Sequence, residues 1–309
     1  SPISEKWALG VDIGGTNVKA GLVNQRGEVM LPEHRPTSAA GGAKSIAAAT
    51  EKVIAAILAA NAGERMLGGI GIASAGAIDV SRGTVFAATE NLPGWTGFPL
   101  RTHFAEKFGV PVFVENDAHA AALAELEFGA GRELKDFVVV TLGTGLGGGI
   151  IANRQLLRGF HGFGGAIGHH TINFESGPCC NCGRRGCLES YVSSNALVRD
   201  YCAATGTSST TAEEIARRAA QGDVAANGAL DRMAAALGEG LANVWNFVDP
   251  EAVILTGGIT QALSGFQNKL MMALNRSLPF STLRKPRVLF SMSNVFTGVQ
   301  GAAAAVFQR

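Results

Sequence analysis

Four of the chain's five cysteines fall within nine residues of the stretch GPCCNCGRRGCLES, 177 to 190: Cys179, Cys180, Cys182 and Cys187. Two cysteines one residue apart, such as Cys180 and Cys182, are badly placed to bond to each other. With Gly183 and Gly186 beside them, they can turn two sulfurs toward one tetrahedral ion. Cys187 adds a third thiolate, and His169, beyond a glycine-rich turn, supplies a fourth ligand. Three cysteines and one histidine form a closed set of the kind that holds structural zinc. His170 is a second candidate ligand. Free buried thiols and redox cysteines are the alternatives, and a disulfide is less expected in a reducing compartment. Cys179 is left over, and Cys202 falls in a following helix as a core residue.

Two other constellations could do chemistry. ENDAHAA sets Asn116 and Asp117 between a strand and a helix. A carboxylate at a helix N-terminus is favoured in its charged form. It could take a proton from a hydroxyl that attacks phosphorus, or it could be one half of an ordinary helix cap. The third constellation is a pair of glycine turns. GVDIGGTNVKAGLVNQ, 10 to 25, lies over VVTLGTGLGGGIIANR, 139 to 154, at a constant offset. Each reads as strand, glycine turn, strand, and then a turn at Asn24 or Asn153. Without Cβ atoms, the backbone N–H groups of such a turn can cradle phosphate; a plain tight hairpin is the alternative. Asp12, just before the first turn, is placed to hold Mg²⁺ directly or through water. Gly143, Gly145 and Gly148 match the spacing of a dinucleotide fingerprint, but the residues after them are strand-like where that site requires a helix. No Walker-type phosphate loop is present.

These residues need elements to carry them. Strands are expected at 7–13, 68–74, 110–116, 137–142, 147–152 and 252–255. Helices are expected at 43–60, 118–127 and 224–248, the last from Leu230, Met233, Leu237, Leu241, Val244, Trp245 and Val248 at spacings of three and four. Strands alternating with helices give an α/β architecture, and the repeated strand–turn–strand unit suggests two related domains. At 309 residues, two domains is the prior. The chain is 47% hydrophobic and 17% charged with a net charge of +1. That composition excludes disorder and gives no electrostatic case for nucleic acid or an acidic membrane surface. No apolar run is long enough to span a bilayer, and no signal peptide is visible, so a cytoplasmic protein is expected.

Taken together the motifs resemble the ROK family (repressors, uncharacterised reading frames and sugar kinases). The matching stretches are VDIGGT (11–16), NLPGW (91–95), ENDA (115–118), LGTGLGGG (142–149), GAIGH (165–169), CNCGRRGCLE (180–189) and LTGG (255–258). They occur in the family's order and cover nearly the whole chain. The resemblance implies an actin-like ATPase (ribonuclease H-like) fold, with two α/β domains around a cleft that takes sugar and ATP. Residues 1–116, completed by a helix in 298–309, would form the small domain. Residues 117–297 would form the large one, with the zinc site.

The resemblance further implies Asp117 as catalytic base. It implies Gly76, Asn91, Asn116, Asp117, His169 and Glu189 as sugar contacts. Asp12, Gly14, Gly15, Thr16, Asn17, Gly143, Thr144, Gly145, Gly257 and Gly258 would serve ATP and Mg²⁺. Where the family usually has Glu in GEIGH, this chain has Ala166, so one carboxylate acceptor for sugar hydroxyls is missing. The expected function is an ATP-dependent hexose kinase acting at the 6-hydroxyl, most simply a glucokinase and a homodimer. An N-acetylmannosamine or other N-acetylhexosamine kinase and an inactive sugar-binding protein are the alternatives. A repressor of this family would carry a helix-turn-helix ahead of the DIGG turn, and no room for one is seen there.

Overall fold

The computed structural model describes residues 6–258, 265–291 and 294–308. The chain divides into two compact units. One comprises residues 1–133, 156–164 and 294–309; the other comprises 134–155 and 165–293.

The first unit is built on strands β1 (Trp7–Ile13), β2 (Asn17–Asn24), β3 (Val29–Pro36), β4 (Leu67–Ser74) and β7 (Val112–Asn116), in the order β3-β2-β1-β4-β7. A two-stranded hairpin, β5 (Ala77–Asp79) with β6 (Thr84–Ala87), stands apart from this sheet. β1 and β2 are antiparallel, whereas β1, β4 and β7 run parallel. The register sets Ile13 opposite Ser74 and Ser74 opposite Asn116, which brings the ends of three parallel strands level.

Alternation along the strands decides what covers each face. Leu9, Val11, Ile13, Ile70 and Ile72 point to one side. There they pack with Ile46, Val53, Ile54 and Ile57 of helix α1 (Gly42–Asn61) and with Phe104 of α2 (Leu100–Phe108). The intervening residues Ala8, Gly10, Gly71 and Ala73 are small, and Asp12 shares their face at the end of β1. Against them lies the C-terminal helix Thr297–Phe307, itself rich in glycine and alanine. A methyl group at Gly10 would collide with the carbonyl of Val299, and one at Gly71 with that of Ala302. Helix α3 (Asp117–Glu127) packs on the same helix, where Gly301 abuts the carbonyl of Ala120. That packing draws α3 into the first unit. The boundary therefore falls after residue 133, later than the expected 116, and the C-terminal segment of this unit begins at 294.

The second unit repeats the plan. Its sheet, β8 (Phe137–Leu142), β9 (Leu146–Ala152), β10 (Gln155–Leu156), β11 (Ala252–Thr256) and β12 (Val288–Phe290), has the order β10-β9-β8-β11-β12. Again an antiparallel pair, β8 with β9, leads into parallel neighbours, β8 with β11 and β11 with β12. Helices α4 (Ser194–Thr205), α5 (Ala212–Ala220) and α6 (Val224–Val248) follow the sheet's first half. The expected stripe on α6 is buried from Leu230 to Trp245, with Val248 half-buried at its end. Among the described residues, no helix is long and apolar enough to cross a membrane.

Overpacking against immovable backbone sits at the top of the usual range, so Gly71→Ala should cost about 3 kcal/mol of stability in urea unfolding. Gly228→Ala, on α6, where only the Arg232 guanidinium comes within 3.7 Å of the new methyl, should instead gain up to about 1 kcal/mol. Equal midpoints for Gly71→Ala and the parent chain would contradict the close helix–sheet approach.

Candidate active site

In the first unit, the turn after β1 is held from below. Gly14 N donates to Asn17 O at 3.0 Å. Thr37 pins the rest, its Oγ1 donating to Gly14 O at 2.6 Å and its N to Thr16 O at 2.9 Å. Gly15 approaches Asn91 so closely that a methyl there would sit 2.7 Å from the Asn91 Cβ. Thr37 was not singled out from the sequence, because a lone threonine in a polar stretch carries no pattern.

At the level of the same strand ends, Asn116 does two things. Its Oδ1 accepts from Ala118 N at 2.9 Å and His119 N at 3.2 Å, capping α3. Its Nδ2 donates to Gly76 O and to Asp117 Oδ1, each at 2.8 Å. The helix cap and the site residue are therefore one and the same. Gly76 takes φ of 101°, a value glycine reaches without strain. Asp117 is exposed, and Ala118 N also donates to its Oδ1 at 2.9 Å. Crowding by surrounding protein raises its pKa above the ordinary carboxylate value, against the pull of the Ala118 and Asn116 hydrogen bonds. Asp12 is half-buried against Gly298. Burial, with the charge of Asp117 added, raises it to about 6, while Lys19 works in the other direction.

The second unit carries the other half of the expected residues. Gly143 N donates to Gly145 O at 3.0 Å, and Ser194 N, at the start of α4, donates to Gly143 O at 2.8 Å. Gly257, at φ of 114°, presses on the carbonyl of Leu142, where no side chain would fit. Gly258 is exposed. Thr144 lines a cavity of about 510 Å³ together with Ser194, Asn195, Thr211 and Glu213, none of which the motifs pointed to.

His169, Cys180, Cys182 and Cys187 converge. Their ligand atoms all lie within 4.8 Å of one another. His169 Nδ1 is 3.6 Å from Cys180 Sγ, and the Sγ atoms of Cys182 and Cys187 are 3.6 Å apart. A tetrahedral ion bonded at about 2.3 Å to sulfur requires sulfurs roughly 3.8 Å apart, so the cluster has the dimensions of a metal site. Burial pushes the Cys180 thiol up to about 12, so a thiolate there depends on a cation beside it. Cys179 is exposed and outside the cluster, and Cys202 on α4 is half-buried. His170 is also outside, with its Nδ1 2.6 Å from Ile167 O.

Glu189 joins this cluster to the second glycine turn. Its Oε2 accepts from Leu146 N at 2.8 Å, and its Oε1 lies 3.8 Å from Cys180 Sγ. A methyl at Gly145 would stand 2.6 Å from Oε2. Ala166 is exposed at the start of the short helical turn Ile167–His169.

Comparison with known proteins agrees with this arrangement. The sequence pattern of the ROK family matches residues 8–309. The chain belongs to the ROK family. It is 34% identical over 276 residues to a glucokinase of Halalkalibacterium halodurans, covering 84% of this chain and 82% of that one. Among solved structures, the ROK hexokinase from Thermus thermophilus superposes with a TM-score of 0.86 at 32% identity, covering 98% of both chains. A ROK family glucokinase from Streptomyces griseus, solved with glucose and AMPPNP, gives 0.81 at 32% identity, over 98% of this chain and 100% of that one. These neighbours have the actin-like ATPase fold, and so has this ROK protein.

The raised pKa of Asp12 carries a stability signature. The folded value of about 6 lies above the ordinary 3.8. Between those values the folded chain holds a proton that the unfolded chain has lost, so this group's contribution to stability improves as pH falls through that window. At pH 7 the ionised carboxylate is a cost. Asp12→Asn should therefore be more stable than the parent by roughly 1–3 kcal/mol at pH 7, with the gap closing toward pH 4. Equal stability at pH 7 would rule out this account of Asp12.

Proposed function

We propose that this chain is an ATP-dependent hexose kinase that transfers the γ-phosphoryl group to the 6-hydroxyl of glucose. The observation that carries the proposal is Asp117. It is an exposed carboxylate with a raised pKa, held at a helix N-terminus through Oδ1, while Oδ2 accepts no hydrogen bond from another of the described residues. A base with those properties can take the proton of a sugar hydroxyl as it attacks phosphorus. The family relatives named as glucokinases and the glucose complex of a structural neighbour support glucose as the acceptor.

In this scheme Asn116 keeps Asp117 turned toward the sugar and can exchange its bond with Asp117 for one with a neighbouring hydroxyl. Gly76, just past β4, and Asn91, in a turn against Gly15, offer further sugar contacts, and His169 and Glu189 contribute others. The backbone of Gly14 to Asn17 and of Gly143 to Gly145 supplies N–H groups for phosphate oxygens. Gly257 and Gly258, bare of side chains, leave room for nucleotide, and the cavity beside Thr144 suits its base or ribose. Asp12 has no hydrogen bond or ion pair from the described residues, and its charge is disfavoured where it stands. Those are the properties of a carboxylate that holds Mg²⁺, which when bound neutralises the phosphate charge. The cluster of His169 with three cysteines fits structural zinc. The enzyme is proposed to act as a homodimer.

Ala166 favours one other acceptor. Without the carboxylate, and exposed, this position leaves space for a bulkier 2-substituent, as in an N-acetylhexosamine. ADP release measured across hexoses and N-acetylhexosamines separates the two sugars, and no ADP with any sugar would defeat the kinase proposal. Asp117→Asn should keep the fold and lose roughly 10²- to 10⁴-fold in kcat; turnover near the parent's would remove Asp117 as the base. For the metal, purified active protein should contain one zinc per chain. Cys182→Ser should raise the KM for sugar and lower Tm, because His169 and Glu189 lose their common anchor. Active protein without stoichiometric zinc would refute this part.

A further inference from the structure

The junction that carries Asp117 is bracketed by charges for which the proposed reaction has no use. Glu115, immediately before Asn116, is 1% exposed, and His119, two residues after Asp117, is 3% exposed. Glu115 Oε2 accepts from both Nε and Nη2 of Arg158, at 2.8 and 2.6 Å. Its Oε1 faces His119 Nδ1 at 3.6 Å, an ion-pair distance rather than a hydrogen bond. The other ring nitrogen, Nε2, is 2.6 Å from the carbonyl oxygen of Gly164. Both ring nitrogens thus face oxygen. Burial alone would push the Glu115 carboxyl up, yet His119 and Arg158 together hold it below the usual carboxylate range.

Arg158 and Gly164 are the two ends of one closed loop. Gly164 N donates to Arg158 O at 2.8 Å, and the loop turns through Gly159 and Gly162 at φ of 72° and 81°. Its far side rests on the β5–β6 hairpin. A methyl at Gly162 would sit 2.8 Å from Ile78 O, and the Phe163 ring meets Phe86 edge-on at 5.8 Å. That hairpin follows directly on Gly76, whose carbonyl holds Asn116. One loop therefore touches the segment after Gly76 and, through both its ends, the residues on either side of the Asn116–Asp117 pair.

A need for stability does not explain why buried charges do this work. An apolar set of the same shape packs about as favourably, because desolvation consumes most of what a buried ion pair gains. Charges differ in direction. A guanidinium bonded twice to one carboxylate fixes angle as well as distance, and direction is what a general base requires.

We infer that Glu115, His119 and Arg158 are positioning residues: by fastening both ends of the 158–164 loop to the residues that bracket Asn116 and Asp117, they set the angle at which the Asp117 carboxylate meets its substrate. The inference rests on Asp117 acting as the base. Steady-state kinetics and Tm of the full chain carrying Arg158→Ala, Arg158→Lys, Glu115→Gln or His119→Asn test it. Misplacement of a reacting group by about 1 Å costs up to 10²-fold, so kcat should fall about 10- to 100-fold in Arg158→Ala and Glu115→Gln. The KM for ATP should stay within twofold. Arg158→Lys should recover only a small part of kcat, since an ammonium keeps the charge but not the two-point bond.

A purely structural network would give another pattern, with Tm lowered and kcat of the folded enzyme within twofold of the parent. That result overturns the inference, as does full recovery of kcat by Arg158→Lys. If Arg158→Ala does not fold, Arg158→Lys and Glu115→Gln decide, and parental kcat in both overturns it. Asp117→Asn, measured alongside, keeps the two ideas apart. Parental activity there removes the base itself, whereas an inactive Asp117→Asn beside fully active Arg158 and Glu115 variants removes only the positioning role.

Discussion

The first unit depends on backbone lying directly against backbone. Gly10 and Gly71 strip the sheet face of side chains, and the helix Thr297–Phe307 settles onto it at a distance that any methyl group would prevent. The same helix sets Gly298 beside Asp12 and Gly301 beside Ala120 of α3. One rod of small residues thus fixes the strand that bears the first glycine turn, the strand that leads to Gly76, and the helix that begins at Asp117. Interiors this dense transmit displacement rather than absorb it. Errors of packing far from the junction therefore reach it.

The site also concentrates unfavourable charge. Burial raises the cost of ionising both Asp12 and Asp117, and at Asp12 the charge of Asp117 adds to it. A chain selected for stability alone would neutralise one of them. Keeping both leaves a pocket of negative potential that only a cation or a proton relieves, which is the state an enzyme handling Mg²⁺ and a hydroxyl proton would need before substrate arrives.

Much of this was legible in the sequence where the signal was local. Short apolar runs gave β1, β4 and β8, the three- and four-residue spacing gave α6, and the echo between residues 10–25 and 139–154 suggested two related domains; the two sheets do share an antiparallel pair leading into parallel neighbours. The cysteine spacing gave the cluster, because three of its four ligands are close in the chain. What was not legible acts across long separations. Arg158 meets Glu115 from 43 residues away, and Thr37 meets Gly14 from 23. Neither pair leaves a periodic trace, and an arginine among glycines reads as a solvated loop. The later division after residue 133 has the same cause: α3 packs on the helix Thr297–Phe307, far downstream, and only packing reveals it.

That separation has a consequence in time. Chains are made from the N-terminal end, and domains tend to fold as they emerge. Here the first sheet is complete by Asn116, but the helix that covers its glycine face is not made until residues 297 to 307. Throughout synthesis of the second unit, a strip of bare backbone and alanine, flanked by Val23 and Phe113, stays open on the first. The nascent protein must tolerate that strip without pairing it elsewhere. Its smallness, with no large apolar side chain among Ala8, Gly10, Gly71 and Ala73, makes it a poor target for premature association. The bareness that lets the last helix dock so closely also protects the chain while it waits.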